Sequence, residues 1–194
     1  MFIETETTPN PASLKFLPGQ TVMDGGTREF ASPEAAEASP LAQAIFDTGE
    51  VTNVFFGGDF VSVTAAPGVD WSALKPQVLA ILLDHFVSQA PLFAPGTAVG
   101  ISVPAEEEAA LLVEERSEDA DIVAQINELL ETRVRPAVAG DGGDIRYRGY
   151  RDGIVHLQMQ GACSGCPSST ATLKHGIEGL LKHYVPEVVE VRAA

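Results

Sequence analysis

The sequence predicts an α+β protein built from two small domains that an acidic linker joins. The chain has 194 residues, 45% of them hydrophobic, which is enough for one large or two small domains with apolar cores. Helix-like and strand-like patterns lie on both sides of residues 104–118. That segment carries six acidic side chains and one basic side chain, which is typical of a solvated linker. We therefore expect a mixed α/β domain over residues 1–103 and an α-β-β-α-β domain over residues 119–194.

The first domain is predicted to combine four strands, two short helices and one long helix. Ser32-Pro33 and Ser39-Pro40 are typical helix starts, since serine caps a helix and proline fits its first turn. Gly57-Gly58-Asp59 predicts a hairpin turn between two apolar strands. Apolar residues at helical spacing from Trp71 to Phe86 predict the long helix. The predicted strands are Phe2–Glu6, Ser13–Leu17, Val51–Phe56 and Phe60–Thr64.

The second domain is predicted to run helix, strand, strand, helix, strand. We expect Ser117 to cap the first helix and Pro136 to end it, because proline has no N–H to donate. Apolar and polar residues alternate on both sides of Asp152-Gly153, which predicts a hairpin. Leu173 to Tyr184 follow helical spacing, and Val188–Val191 can form a last strand.

Charge and hydropathy limit the partners that we expect. A net charge of −15 argues against nucleic acid, since phosphate binding needs clustered lysine and arginine. No window approaches 18 consecutive apolar residues, so no membrane partner is expected. Residues 1–6 lack the basic and apolar regions of a signal peptide. We therefore expect a cytoplasmic protein, or one of the mitochondrial matrix if a presequence has been removed.

The chemistry of the chain is predicted to lie in Gly161-Ala162-Cys163-Ser164-Gly165-Cys166-Pro167, which contains its only two cysteines. Two close cysteines in an otherwise cysteine-free chain indicate metal or redox chemistry rather than a disulfide framework. The motif falls between a predicted strand and a predicted helix, at an expected surface turn. Gly161 and Gly165 allow the backbone to bend, and the helix N-terminus should lower the thiol pKa values. Cys163 and Cys166 are therefore the candidate metal and cofactor ligands.

Two thiolates provide half of the ligands that a metal centre of this kind needs. Tetrahedral zinc and the usual iron–sulfur clusters take four protein ligands. A second copy of the motif across a two-fold axis completes the set, which predicts one 4Fe–4S cluster per homodimer. A cluster held between subunits can be exposed and labile, as a carrier requires.

Several other interpretations of the same cysteines stay open. A thioredoxin-like redox motif also lies between a strand and a helix, but only 28 residues follow Cys166. A zinc site could use His175 and His183, although their spacing is wide for a zinc-finger pair. The thiols could also be structural, or one could serve a hydrolase whose other residues the sequence does not reveal. Asp141-Gly142-Gly143-Asp144 is predicted to be a glycine-enabled turn rather than a cation loop.

At these residues the chain resembles the Nfu family. Val134-Arg135-Pro136, Asp141 to Ile145 and Gly161 to Ser169 resemble the NifU-like C-terminal domain, over about residues 119–194. Thr8-Pro9-Asn10-Pro11-Ala12-Ser13-Leu14-Lys15-Phe16 resembles the Nfu N-terminal domain. The two matches in this order cover nearly the whole chain.

The resemblance implies a carrier of 4Fe–4S clusters rather than an enzyme. Such proteins receive a cluster from an upstream donor and deliver it to apo-proteins such as lipoyl synthase and aconitase. The N-terminal domain has no cysteine, so by analogy it recognises clients or donors. The alternative function is a thiol–disulfide oxidoreductase that uses the same cysteines.

Overall fold

A computed structural model describes residues 2–96, 117–164 and 167–193. The chain separates into two compact units, Met1–Ser102 and Val103–Ala194. Each unit combines helices with a sheet, which confirms the predicted α+β class in two domains. Residues 104–116 of the predicted linker lie outside the described residues. No helix in the described part of the chain has the length and apolar character needed to cross a bilayer.

The first unit contains an antiparallel sheet with the strand order β1-β2-β5-β4-β3. Its strands are β1 Glu4–Thr7, β2 Ser13–Leu17, β3 Arg28–Phe30, β4 Val51–Phe56 and β5 Val61–Ala65. The predicted β2 and β4 have the observed bounds, and β4 and β5 form the predicted hairpin. The sequence prediction missed β3, because three residues are too few for an alternating pattern to stand out.

Three helices, α1 Pro33–Ala36, α2 Pro40–Phe46 and α3 Trp71–Ser88, contribute to the core of this unit. The hydroxyl oxygens of Ser32 and Ser39 accept hydrogen bonds from the N–H groups of Ala35 and Ala42, which confirms both predicted helix starts. The core residues without exposed surface include Phe16, Phe30, Phe56, Leu74, Val78 and Leu82. The apolar face predicted for α3 is therefore core.

The second unit starts with a nearly continuous helical segment, which corrects two predictions. It comprises a 3₁₀ turn at Ser117–Asp119, α4 at Ala120–Leu129, a π-helical turn at Leu130–Val134 and α5 at Arg135–Gly140. Ser117 does not cap α4, since Asp119 occupies the N-cap position and makes no side-chain capping bond. Pro136 does not end the helical run either. It lies in the first turn of α5, where its missing N–H removes no required bond.

The rest of the second unit follows the predicted order of strand, strand, helix and strand. The elements are β6 Gly143–Arg151, β7 Ile154–Gly161, α6 Pro167–Tyr184 and β8 Glu190–Ala193. Strand β7 pairs antiparallel with β6 and parallel with β8. Asp152 and Gly153 both have positive φ, 50° and 81°, as a two-residue hairpin turn requires. Ile126, Leu130 and Val138 pack with Ile145, Leu157, Ile177 and Leu181 in one core.

Candidate metal centre

Cys163 lies two residues beyond the end of β7, in a tight turn that backbone bonds define. Gly161 adopts φ 70°, a left-handed conformation that favours glycine, so its predicted role in bending the chain is confirmed. Its carbonyl oxygen accepts from the backbone N and the Oγ of Ser164 at 3.0 and 2.8 Å. The Oγ1 of Thr170 in α6 donates to the Cys163 carbonyl at 3.0 Å. Gly165 and Cys166, also predicted for this site, lie outside the described residues.

The thiol of Cys163 is buried, which corrects the expectation of a surface turn. The residue is free and only 5% exposed, and it belongs to the core of the second unit. Gly143 makes this burial possible, because a Cβ on Gly143 would lie 2.9 Å from the Cys163 Sγ. Gly143 is also the register partner of Gly161. Gly143 therefore forms one wall of the thiol site, beyond its predicted role in a turn.

Burial and nearby carboxylates raise the pKa of the Cys163 thiol to about 12. Burial is the largest cause, and the carboxylates of Asp141 and Asp144 add to it. The prediction that a helix N-terminus lowers this pKa is therefore wrong for Cys163 in the apo conformation. The thiol is protonated at neutral pH, so Cys163 must lose a proton before it can bind a metal.

Arg135 and Asp144 form a two-bonded ion pair beside this wall. The Nε and NH2 groups of Arg135 donate to Oδ1 and Oδ2 of Asp144 at 2.9 and 2.7 Å. The NH1 group of Arg135 donates to Glu131 Oε1 at 2.7 Å. These bonds, with that to Asp144 the strongest, raise the pKa of Arg135 further above its usual range. The sequence analysis names Arg135 only as part of a family motif and Asp144 also as part of a predicted turn, and it does not predict their ion pair.

The histidines considered for a zinc site both lie on exposed positions of α6. His175 and His183 are exposed and lie two turns apart on α6, and the His183 ring packs against Tyr184. Within the described ranges, no group of three or more histidine, cysteine, aspartate or glutamate residues is placed to hold a metal ion.

Comparison with known proteins places both units in one family. The description "Scaffold protein Nfu/NifU N terminal" matches residues 3–89, and "NifU-like domain" matches residues 126–192. The chain is 50% identical over 190 residues to NifU-like protein 4, mitochondrial, of Arabidopsis thaliana, an alignment that covers 97% of this chain and 64% of the relative. It is 47% identical over 189 residues to the Homo sapiens NFU1 iron-sulfur cluster scaffold homolog, mitochondrial. That alignment covers 97% of this chain and 70% of the human protein.

These similarities define a protein with Nfu N-terminal and NifU-like domains. The chain belongs to the Nfu family. It spans just under two thirds of the two Arabidopsis relatives that it matches, 64% and 66% of their lengths. A solved NifU-like protein from Saccharomyces cerevisiae aligns with 49% of this chain and 86% of its own, at 24% identity and a TM-score of 0.45. That similarity is too low to bear on the assignment.

Proposed function

We propose that this protein is a carrier, not an enzyme, that binds a 4Fe–4S cluster through Cys163 and Cys166 of two chains. The observation that carries the proposal is the free thiol of Cys163 at the junction of β7 and α6. The only other cysteine of the chain lies three residues further on. Membership of a family whose human member is named an iron–sulfur cluster scaffold supports this cargo.

The ligand count favours a cluster shared by a homodimer. One chain supplies two thiols, and a 4Fe–4S cluster takes four thiolates. A second copy supplies the other two through the same surface, as two-fold symmetry requires. We therefore expect a monomeric apo form and a dimeric loaded form.

Loading must expose the Cys163 sulfur, because a thiol in the core of its own unit cannot reach a cluster. The turn at Ala162–Ser164 lies beyond the last ladder pair of β7, so it can rearrange without loss of the sheet. Binding also displaces the thiol proton, so loading should release protons and should weaken as pH falls. The cluster is thus bound at the expense of contacts that the apo protein makes.

Anaerobic reconstitution with ferrous iron and sulfide tests the proposal. The wild-type chain should bind about four irons per two chains, since the ligand count requires a shared cluster, and should elute as a dimer. Cys163→Ser and Cys166→Ser should each abolish iron binding. His175→Ala is the matched control: it removes an exposed possible ligand from α6 and should leave the iron content unchanged.

Three results would contradict this function. A monomer that carries a complete cluster would exclude the shared site. A colourless protein that reduces a disulfide substrate through Cys163 and Cys166 would instead support the alternative, a thiol–disulfide oxidoreductase. Loss of iron in the histidine variant would indicate a mixed thiolate–imidazole site.

Partners and compartment are also proposed on the strength of the family. We expect transfer to apo iron–sulfur proteins and receipt from an upstream donor, with recognition by the cysteine-free residues 1–103. Residues 104–118 stay the proposed linker and residues 119–194 the proposed cluster domain. The predicted cytoplasmic location stays a prediction. The names of the Arabidopsis and human relatives include "mitochondrial", which favours the matrix alternative.

A further inference from the structure

We propose that Arg135 and Asp144 are positioning residues that hold Gly143, and with it the turn that carries Cys163, in place. This inference rests on the proposed cluster-binding function and assigns part of it to residues that do not touch the cluster. The pair joins the first turn of α5 to the start of β6. Asp144 directly follows Gly143, against which the Cys163 sulfur packs in the unloaded protein.

The geometry of the pair fixes the Asp144 carboxylate completely. Its two oxygens accept from the guanidinium of Arg135, and Oδ1 also accepts from the Ile145 backbone N at 2.8 Å. The Asp144 side chain is only 5% exposed, whereas that of Arg135 is 33% exposed. A planar guanidinium that binds a carboxylate with two bonds specifies orientation as well as distance. The start of β6 is therefore held at a defined place relative to α5.

The same few residues form the surroundings of the sulfur. A Cβ on Gly143 would lie 2.9 Å from the Cys163 Sγ and 2.5 Å from the Gln160 backbone oxygen. The backbone N of Ala162 donates to the Gly142 oxygen at 3.1 Å, which ties the cysteine turn to this wall. A displacement of Asp144 moves Gly143 and Gly142 with it. The ion pair thus determines where the cysteine turn can lie.

A purely structural role would predict a different pattern. Loss of a buried pair destabilises any protein, because one charge stays behind in the interior. That effect lowers the stability of the apo protein but leaves a loaded, folded protein with its normal cluster properties. The visible circular dichroism of the cluster and its rate of release to a chelator therefore separate the two roles.

The test compares full-length, loaded Arg135→Gln, Arg135→Lys, Asp144→Asn and the Arg135→Gln/Asp144→Asn double variant. We expect Arg135→Gln to release its cluster to an iron chelator about 10-fold faster or more, the usual effect of losing a partner that orients a metal ligand. The release rate of Arg135→Lys should be closer to that of the glutamine variant than to that of the wild type, because an ammonium group cannot donate two parallel hydrogen bonds to one carboxylate. In the double variant, the change in the activation free energy of cluster release should be smaller than the sum of the changes in the two single variants.

Glu131→Gln provides the matched control. It removes the exposed i,i+4 partner of Arg135 and leaves both bonds to Asp144 in place. Its release rate should stay within about twofold of the wild type, since exposed pairs contribute little. The visible circular dichroism of the cluster should change in Arg135→Lys and not in this control.

Several results would overturn the inference. Wild-type release and spectra in Arg135→Lys would show that the two-bonded geometry is not needed. That result would remove the positioning role. Unchanged release in every variant, with lower apo stability, would reduce the pair to a structural contact. If Arg135→Gln does not fold, Arg135→Lys and Asp144→Asn decide the question. A wild-type chain that takes up no cluster would instead overturn the proposed function itself.

Discussion

A methyl group at position 143 should destabilise the second unit. Gly143→Ala places a Cβ 2.5 Å from the Gln160 backbone oxygen and 2.9 Å from the Cys163 Sγ, with the Cys163 Cβ at 3.2 Å. The first contact involves a backbone atom of the β6–β7 ladder, so it cannot be relieved by rotation of a side chain. The strand pairing or the cysteine turn must shift.

The expected effect lies at the upper end of the range for overpacked cores. Extra methylene groups in well-packed cores typically cost about 1–3 kcal/mol. The positive φ that penalises alanine is not present at Gly143, so the cost is purely steric. We expect a loss of about 3 kcal/mol, which corresponds to roughly 12–24 °C in the midpoint of a domain of this size.

The aromatic residues allow the two units to be followed separately. The single tryptophan, Trp71, lies in the first unit, and the three tyrosines, Tyr147, Tyr150 and Tyr184, all lie in the second. Tyrosine circular dichroism during urea unfolding should move to lower urea in Gly143→Ala, while tryptophan fluorescence should not. Gly176→Ala is the control, since its Cβ would have no atom within 4 Å and should stabilise α6 by up to about 1 kcal/mol. A tyrosine transition within about 0.5 kcal/mol of the wild type, the range of an ordinary surface substitution, would refute the steric reasoning.

Two further predictions concern the first unit, and both use tryptophan fluorescence during urea unfolding. Burial lowers the pKa of His85, so its contribution to stability is present above the unfolded pKa of about 6.5 and is lost as pH falls toward the lowered folded pKa. His85→Gln should therefore lose less stability than the wild type from about pH 7 to about pH 5. Equal losses in the two proteins would exclude His85 as the cause of the pH-dependent destabilisation. Ser39→Ala should cost about 1–2 kcal/mol, because the buried hydroxyl accepts from Ala42 N and donates to the Leu92 oxygen at 2.6 Å. Ser32→Ala, which removes an exposed cap only, should cost less.

Local sequence signals predicted most of the fold because each has a nearby physical cause. Serine followed by proline marked the starts of α1 and α2, and Asp152-Gly153 marked the hairpin between β6 and β7. The failures lie where tertiary context prevails over a local rule. Pro136 was expected to break a helix, but a π-helical turn places it in the first turn of the next one. The pairing of β3 with β4 depends on a strand more than 20 residues away.

The sequence predicts the candidate ligands by residue type but does not predict their environment. The spacing of Cys163 and Cys166 is visible in the sequence, and so is the glycine that bends the backbone before them. Burial of Cys163 is not visible, because it results from Gly143, a register partner of Gly161 on another strand. The same burial reverses the expected direction of the thiol pKa. Local sequence therefore indicates which atoms can bind, and the fold determines how readily they do.

Under the proposed function, burial of Cys163 in the core limits how tightly a cluster can be held. Ligation must supply enough free energy to withdraw the sulfur from its apolar surroundings, and this cost reduces the affinity. Cysteine behaves as a small hydrophobic residue, so the cost is about 1–2 kcal/mol. Since 1.4 kcal/mol changes a dissociation constant tenfold, the affinity falls roughly 5–30-fold. On release, the sulfur returns to the pocket beside Gly143, which makes the apo state more favourable. A site that holds its cluster permanently does not need such a pocket, whereas the lower affinity allows a carrier to transfer its cluster.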